Sequence, residues 1–262
     1  MKRLLKADFF RLFHSKLALV SLIISTIFPL LMAGLFYALR EITKNANLEQ
    51  SAMIDMMLGG RMLIGTSFSL SSNVGIILPV FAALLVMADI NSGSVRGKII
   101  IGHKRHHIFA SHYLVTMTYC LVLIAVYAAM TTLWGALFLG LGEIGSEYAV
   151  SLVYFYVLGL LNFAMVAAIA TCFSLTTFST PPAVLLTLVS CLVIGLASSI
   201  ISSFDYSSFE HVAYFIPGFV TSLFQNKEIS ATMFLEGVGG TVIFGAGFYV
   251  VGALLFNRKD LK

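Results

Sequence analysis

Long uncharged stretches alternate with short charged ones along the 262 residues. A spanning helix needs about 20 mostly apolar residues. Residues 17–39 supply 23 uncharged positions between Lys16 and Arg40, with Pro29 as a candidate kink. Residues 62–88 are also uncharged but open on the polar string TSFSLSSN, which sets the second span at about 69–88. A third span is expected at about 110–141, before Glu143. Between Glu147 and Asp205 lie 57 uncharged residues. As one helix they would run roughly 85 Å, almost three bilayer cores. SLTTFSTPP at 174–182 is the breaker cluster in that run and divides it into spans at about 149–173 and 183–203. The sixth span covers about 237–256 and ends at Arg258. Residues 212–226 are apolar for only 15 positions and contain Pro217 and Gly218. That is too short to cross, and a re-entrant or interfacial helical turn is expected. The pattern predicts an all-α membrane protein of six transmembrane helices in a single domain over 1–262.

Composition agrees. The chain is 59% hydrophobic and 11% charged, with mean hydropathy +0.96, against roughly 45–50% and 25% for a soluble domain. Too few charges remain to coat a soluble surface, which excludes a water-soluble enzyme and a disordered chain. The net charge of +4 would suit a nucleic-acid binder, but the basic residues gather at span ends. Six spans divide the polar pieces into two sets. The set holding both termini has 12 of the 16 basic residues and three of the 12 acids, a balance of +9; the other set is −5. The positive-inside rule then places both termini in the cytoplasm. The start MKRLLKADFFRLFHSK looks like the charged end of a signal peptide, but the apolar run after it is too long and lacks an A-x-A site, so a retained span is expected. Cys120, Cys172 and Cys191 sit in apolar runs without metal-ligand spacing.

Several pieces could carry chemistry. Residues 1–16 place Leu4, Leu5, Phe9, Leu12 and Phe13 on one helical face and Lys2, Arg3 and Lys6 on the other, a basic amphipathic helix along the membrane surface. The loop 89–109, DINSGSVRGKIIIGHKRHHIF, is too basic to enter the bilayer. A short helix there would present Val95, Ile99 and Ile100 beside Arg96 and Lys98, apolar residues that need a partner surface. A charged turn dipping its isoleucines into the interface is the competing reading. His103, His106 and His107, with His112 beyond, have helical metal-ligand spacing. No Cys, Asp or Glu completes a set, and Lys104 and Arg105 repel cations, so no metal site is expected. The spans lack Asp, Glu, Lys and Arg, which disfavours ion-coupled transport, and they hold no histidine to serve a serine nucleophile. The string GSVRGK at 93–98 has the wrong spacing for a phosphate-binding loop, so the chain is expected to be no enzyme and to bind no ATP itself. Gly237, Thr241 and Gly245 form a small-residue face on the last span, suited to close helix packing within the subunit or across a dimer.

Together these features resemble the membrane subunits of bacterial type-2 ABC exporters. The resemblance spans the whole chain and rests on the amphipathic start, the loop after the second span and the ending FNRKDLK. Asp89, Gly93 and Ser94, the run Arg96-Gly97-Lys98-Ile99-Ile100, then Lys104 and Arg105, follow the order of that family's coupling helix. There the coupling helix docks on a separate ATPase subunit. Residues 212–226 match the family's re-entrant helix before the last span. The uncharged turn at 174–182 departs from the pattern and weakens the case for a second ATPase contact there. The resemblance implies a multi-pass permease of the bacterial cytoplasmic membrane. It would pair with a second copy or a homologue among membrane lipids and bind no nucleic acid. ATP and Mg would be held by the ABC ATPase, and the expected cargo is amphipathic, such as a peptide antibiotic. An ion-coupled secondary transporter and a sensor or scaffold recruiting a cytosolic partner are the rival classes. A neighbouring gene for a stand-alone ATP-binding subunit separates them.

Overall fold

Every element in the computed structural model is a helix, with no strand among the described residues, which are 2–44, 59–71, 73–140, 146–204, 209–225 and 227–259. Six helices are long and apolar enough to cross a membrane. They are α2 (Lys16–Lys44), α4 (Val74–Asn91), α6 (Arg105–Leu139), α7 (Ser146–Thr177), α8 (Thr180–Ser202) and α11 (Ala231–Arg258). Five short helices accompany them: α1 (Lys2–Phe13), α3 (Gly60–Gly65), α5 (Ser94–Ile100), α9 (Glu210–Tyr214) and α10 (Phe219–Leu223). The expected ends at 141 and 226 fall outside the described residues. Pro29 and Pro79 lie inside α2 and α4 without dividing them.

The second span differs from its expected limits because residues 66–71 and 73 do not continue a helix. Thr66 and Ser67 turn their hydroxyls onto the carbonyls of Leu63 and Ile64, and Asn73 has φ +50°. Such side-chain bonds compete with helical continuation. The helix therefore starts at Val74, and α3 stands alone before it. At the other break, α7 runs to Thr177 and Phe178 turns the chain at φ +55°. Pro181 and Pro182 then fall in the first turn of α8, where a missing N–H costs nothing.

Helix α7 is the central post, touching α4, α6, α8 and α11, while α2 lies against α6. Its buried positions include Phe155, Phe163 and the run from Val166 to Ala170. The small-residue face of α11 is spent within the subunit. A Cβ on Gly237 would lie 3.1 Å from Val220 and 3.2 Å from Leu158, while Met165 of α7 sits 3.6 Å from the same position on Gly245. Between the two glycines, Thr241 donates to Asn162 Oδ1 of α7 at 3.0 Å. A glycine face lets helix backbones approach closely, and here it seats α11 on α7.

At the end of the bundle opposite the termini, two segments close on each other. Residues 209–225 form α9 and α10, broken at Pro217 and Gly218, with Phe219, Val220 and Phe224 buried. Ser198 of α8 donates to the Pro217 carbonyl at 3.1 Å. From α3, Arg61 reaches the Phe224 carbonyl at 3.4 Å and lies over the Tyr148 and Phe224 rings at 5.1 and 5.6 Å. Phe68 inserts fully between this layer and α7, edge-on to Phe155 and Tyr156.

Candidate functional site

The loop between the second and third spans is short and held on all sides. Helix α4 ends at Asn91, and Gly93, at φ +72°, turns the chain into α5. Ile101 and Gly102 reverse it again before α6 begins at Arg105. The αL backbone at Gly93 suits a residue without Cβ.

Helix α5 has two unlike faces. Inward, Val95 is only 1% exposed and packs with Val86, Ile108, Phe109, Leu175 and Phe256, and Ile99 covers the edge of that cluster. Lys98 is 9% exposed. Outward stand Arg96, Ile100 at 84% exposure, Ile101 at 78% and, just beyond the turn, Lys104. The expected exposure of Val95 and Lys98 is therefore corrected. A seven-residue helix rooted between span ends must bury one side, and the residue one turn before Ile99 takes that place. Of the other candidates, Ser94 and Asp89 bond to Arg11. Arg105 donates to the carbonyls of Phe256, Asn257 and Lys259, fastening the end of α11. The turn after α7 sits beside the loop, with Asn91 donating to Thr180 at 3.2 Å, and Lys259 reaches over Phe178 to the Thr176 carbonyl.

A buried chain of polar side chains ties α5 to α1. Lys98 Nζ donates to Asp8 Oδ1 at 2.7 Å, and Ser111 donates to Asp8 Oδ2 at 2.7 Å. Lys98 Nζ is also 3.3 Å from His112 Nε2. An ammonium can only donate, so this ring nitrogen accepts and the proton sits on Nδ1. Nδ1 faces Asp89 Oδ2 at 3.5 Å. Asp89 Oδ1 meets Arg11 at 2.5 Å, and Arg11 goes on to donate to Ser92 at 3.2 Å and Ser94 at 2.5 Å. Two acids and two bases cancel around a neutral imidazole. Removing one member of a buried pair strands the other charge, so the whole set holds α1, α4, α5 and α6 in one arrangement.

Asp8, Arg11 and Ser111 were not among the sequence candidates, and His112 was weighed there only as a metal ligand. Asp8 had a legible signal. It is the lone acid of α1 and stands at spacing four between Leu4 and Leu12, both buried. An acid on the apolar stripe of an amphipathic helix needs a buried partner. Phe10 and Phe13, by contrast, project outward at 64% and 78% exposure, so the expected place of Phe13 on the face opposite Lys6 is corrected: it shares the outward stripe of that lysine. The His106 and His107 rings lie 4.2 Å apart between centroids, tilted by 52°, and His112 turns into the bundle. No group of three or more His, Cys, Asp or Glu among the described residues is placed to hold a metal.

No curated protein and no solved structure matches the chain. A family model described as "Protein of unknown function (DUF2705)" matches residues 22–262.

Proposed function

The chain belongs to the DUF2705 family, and we propose that it is the membrane subunit of an ATP-driven exporter of the ABC type. In this reading two copies, or one copy and a homologue, form the pathway in a bacterial plasma membrane, with both termini in the cytoplasm. A separate ATPase binds and hydrolyses Mg-ATP, and α5 is the coupling helix on which it docks. Residues 209–225 are the re-entrant element at the outer end. The cargo is amphipathic, in keeping with spans free of Asp, Glu, Lys and Arg at their centres.

One observation carries the reading. Between the second and third spans, α5 is rooted by Val95 and Lys98 and holds Ile100 and Ile101 out beside Arg96 and Lys104. These isoleucines join neither the core nor a span, and a fixed apolar tip ringed by basic charge suits a groove on another protein. The test is Ile100→Asp with Ile101→Asp. Both positions are exposed, so the fold and insertion should persist, whereas Ile99 is half-buried and unsuited to the purpose. Stranding charge in a desolvated contact costs about 2–5 kcal/mol, roughly 30- to several-thousand-fold in binding. Co-purification of a co-expressed partner ABC ATPase, and coupled ATP turnover, should fall accordingly. Lys104→Ala should cost about 1 kcal/mol or less. Full binding and turnover in the double variant would reduce the loop to a charged turn.

A further inference from the structure

An apolar groove of about 240 Å³ runs along the outside of the bundle where α1 bends into α2, with α6 as its far wall. Leu12 and Phe13 close one end, Leu19 and Leu22 form one side, and Tyr119 and Val122 form the other. The Tyr119 hydroxyl is turned inward to Ser21 at 2.7 Å, and neighbouring Thr118 bonds its own helix at the Leu114 carbonyl. Neither offers a free polar group to an occupant. Phe13, Leu19 and Val122 are 78%, 60% and 50% exposed on a face that hydrocarbon would cover. A polar headgroup has no place in this groove, but an acyl chain does.

The mouth of the groove carries the second half of the argument. Arg11 is committed to Asp89 and the serines, and Lys98 to Asp8. Lys6 and Lys16 are exposed and make no ion pair among the described residues. Lys16 lies three residues from both Phe13 and Leu19, and Lys6 lies seven before Phe13 on the same helical stripe. Apolar walls, with one exposed lysine a turn before Leu19 and another two turns before Phe13, match the two parts of an anionic phospholipid.

We propose that this groove is a binding site for one anionic phospholipid of the leaflet on the side of the termini. One acyl chain lies between α2 and α6, and Lys6 and Lys16 hold the headgroup. Lipid tails are as apolar as leucine, so the groove itself gains little by exchanging one chain for another. Selectivity comes from the lysines, at roughly fivefold per basic residue near an anionic surface. The site stands whether or not the chain is an exporter subunit.

The test is native mass spectrometry of the full chain released from nanodiscs of equal phosphatidylglycerol and phosphatidylcholine. The wild type should retain one phosphatidylglycerol per chain. Leu19→Trp, or Val122→Trp from the opposite wall, fills the groove and should lower retention at least about tenfold. Leu196→Trp on the exposed face of α8 should not. Lys6→Gln with Lys16→Gln should keep a bound lipid but lose the preference for phosphatidylglycerol. Retention unchanged by both groove-filling variants would identify the lipid as annular and overturn the site. Equal retention of the two lipids by the wild type would overturn the headgroup assignment.

Discussion

Lys98 shows how one neighbour decides what a residue does. By sequence it belongs with Arg96 and Lys104 as a solvated basic residue of the loop. In the fold it turns inward, because Asp8 occupies the buried stripe of α1 and needs a cation within 3 Å. The pairing joins residues 90 positions apart, which no local spacing encodes; only the lone acid at position 8 hinted at it. The energetics follow from burial. Asp8→Leu leaves the Lys98 ammonium without its carboxylate and should destabilise the protein by about 3–5 kcal/mol. Asp8→Leu with Lys98→Met removes both charges and should recover most of that loss. Thermal unfolding in detergent, comparing the single and double variants, measures the difference. A double variant as unstable as the single would mean the pair contributes packing rather than charge compensation. Arg11 and Asp89 are more exposed, at 40% and 20%, and their pair should matter less.

At the scale of elements, the six spans were legible because length and charge are properties of the chain in one dimension. A run of 23 uncharged residues, or of 57 that must fold back, leaves few choices. The stretch before α4 was not legible, since Thr66 and Ser67 satisfy their hydroxyls on the carbonyls of Leu63 and Ile64 rather than extending a helix. The Gly237 face was visible as a pattern, but its partner was open until α7 was seen against it. The seating of α11 can be tested directly. Gly237→Leu drives a side chain into Val220 and Leu158, and overpacking of that kind costs typically 1–3 kcal/mol. Gly247→Leu, with nothing within 4 Å of its Cβ position, should unfold with the wild type. If the two variants melt alike, the α7–α11 contact is not tightly packed.

For the whole molecule, the two ends differ in kind. The end with the termini is built from ionic side chains and a small separate core around Val95 and Phe109. The opposite end is richer in aromatic rings, with Arg61 lying over Tyr148 and Phe224, Arg40 donating to the Leu139 carbonyl and His211 paired with Glu236. Charge counting gives the two ends opposite net signs, but the meeting of α3 with 209–225 is a tertiary contact that no one-dimensional pattern contains. The orientation itself is open to measurement, because Cys120, Cys172 and Cys191 are buried and should stay silent. A cysteine at Glu228, which is exposed, should react with an impermeant thiol reagent on intact cells. One at Ile100 should react only after the membrane is opened. The reverse pattern would invert the topology.

The cancelled charges around His112 also have a history in time. While the chain is being threaded into the membrane no fold exists, and topology is set by lysines and arginines, with acids contributing little. In the proposed orientation Arg11 and Lys98 would at that moment count in full as part of the address. Once α1 swings against the loop, Asp89 and Asp8 silence both of them. With the termini in the cytoplasm as proposed, the same two cations would serve first as a biosynthetic instruction and afterwards as mortar. A substitution at either one would act at two different moments in the protein's life.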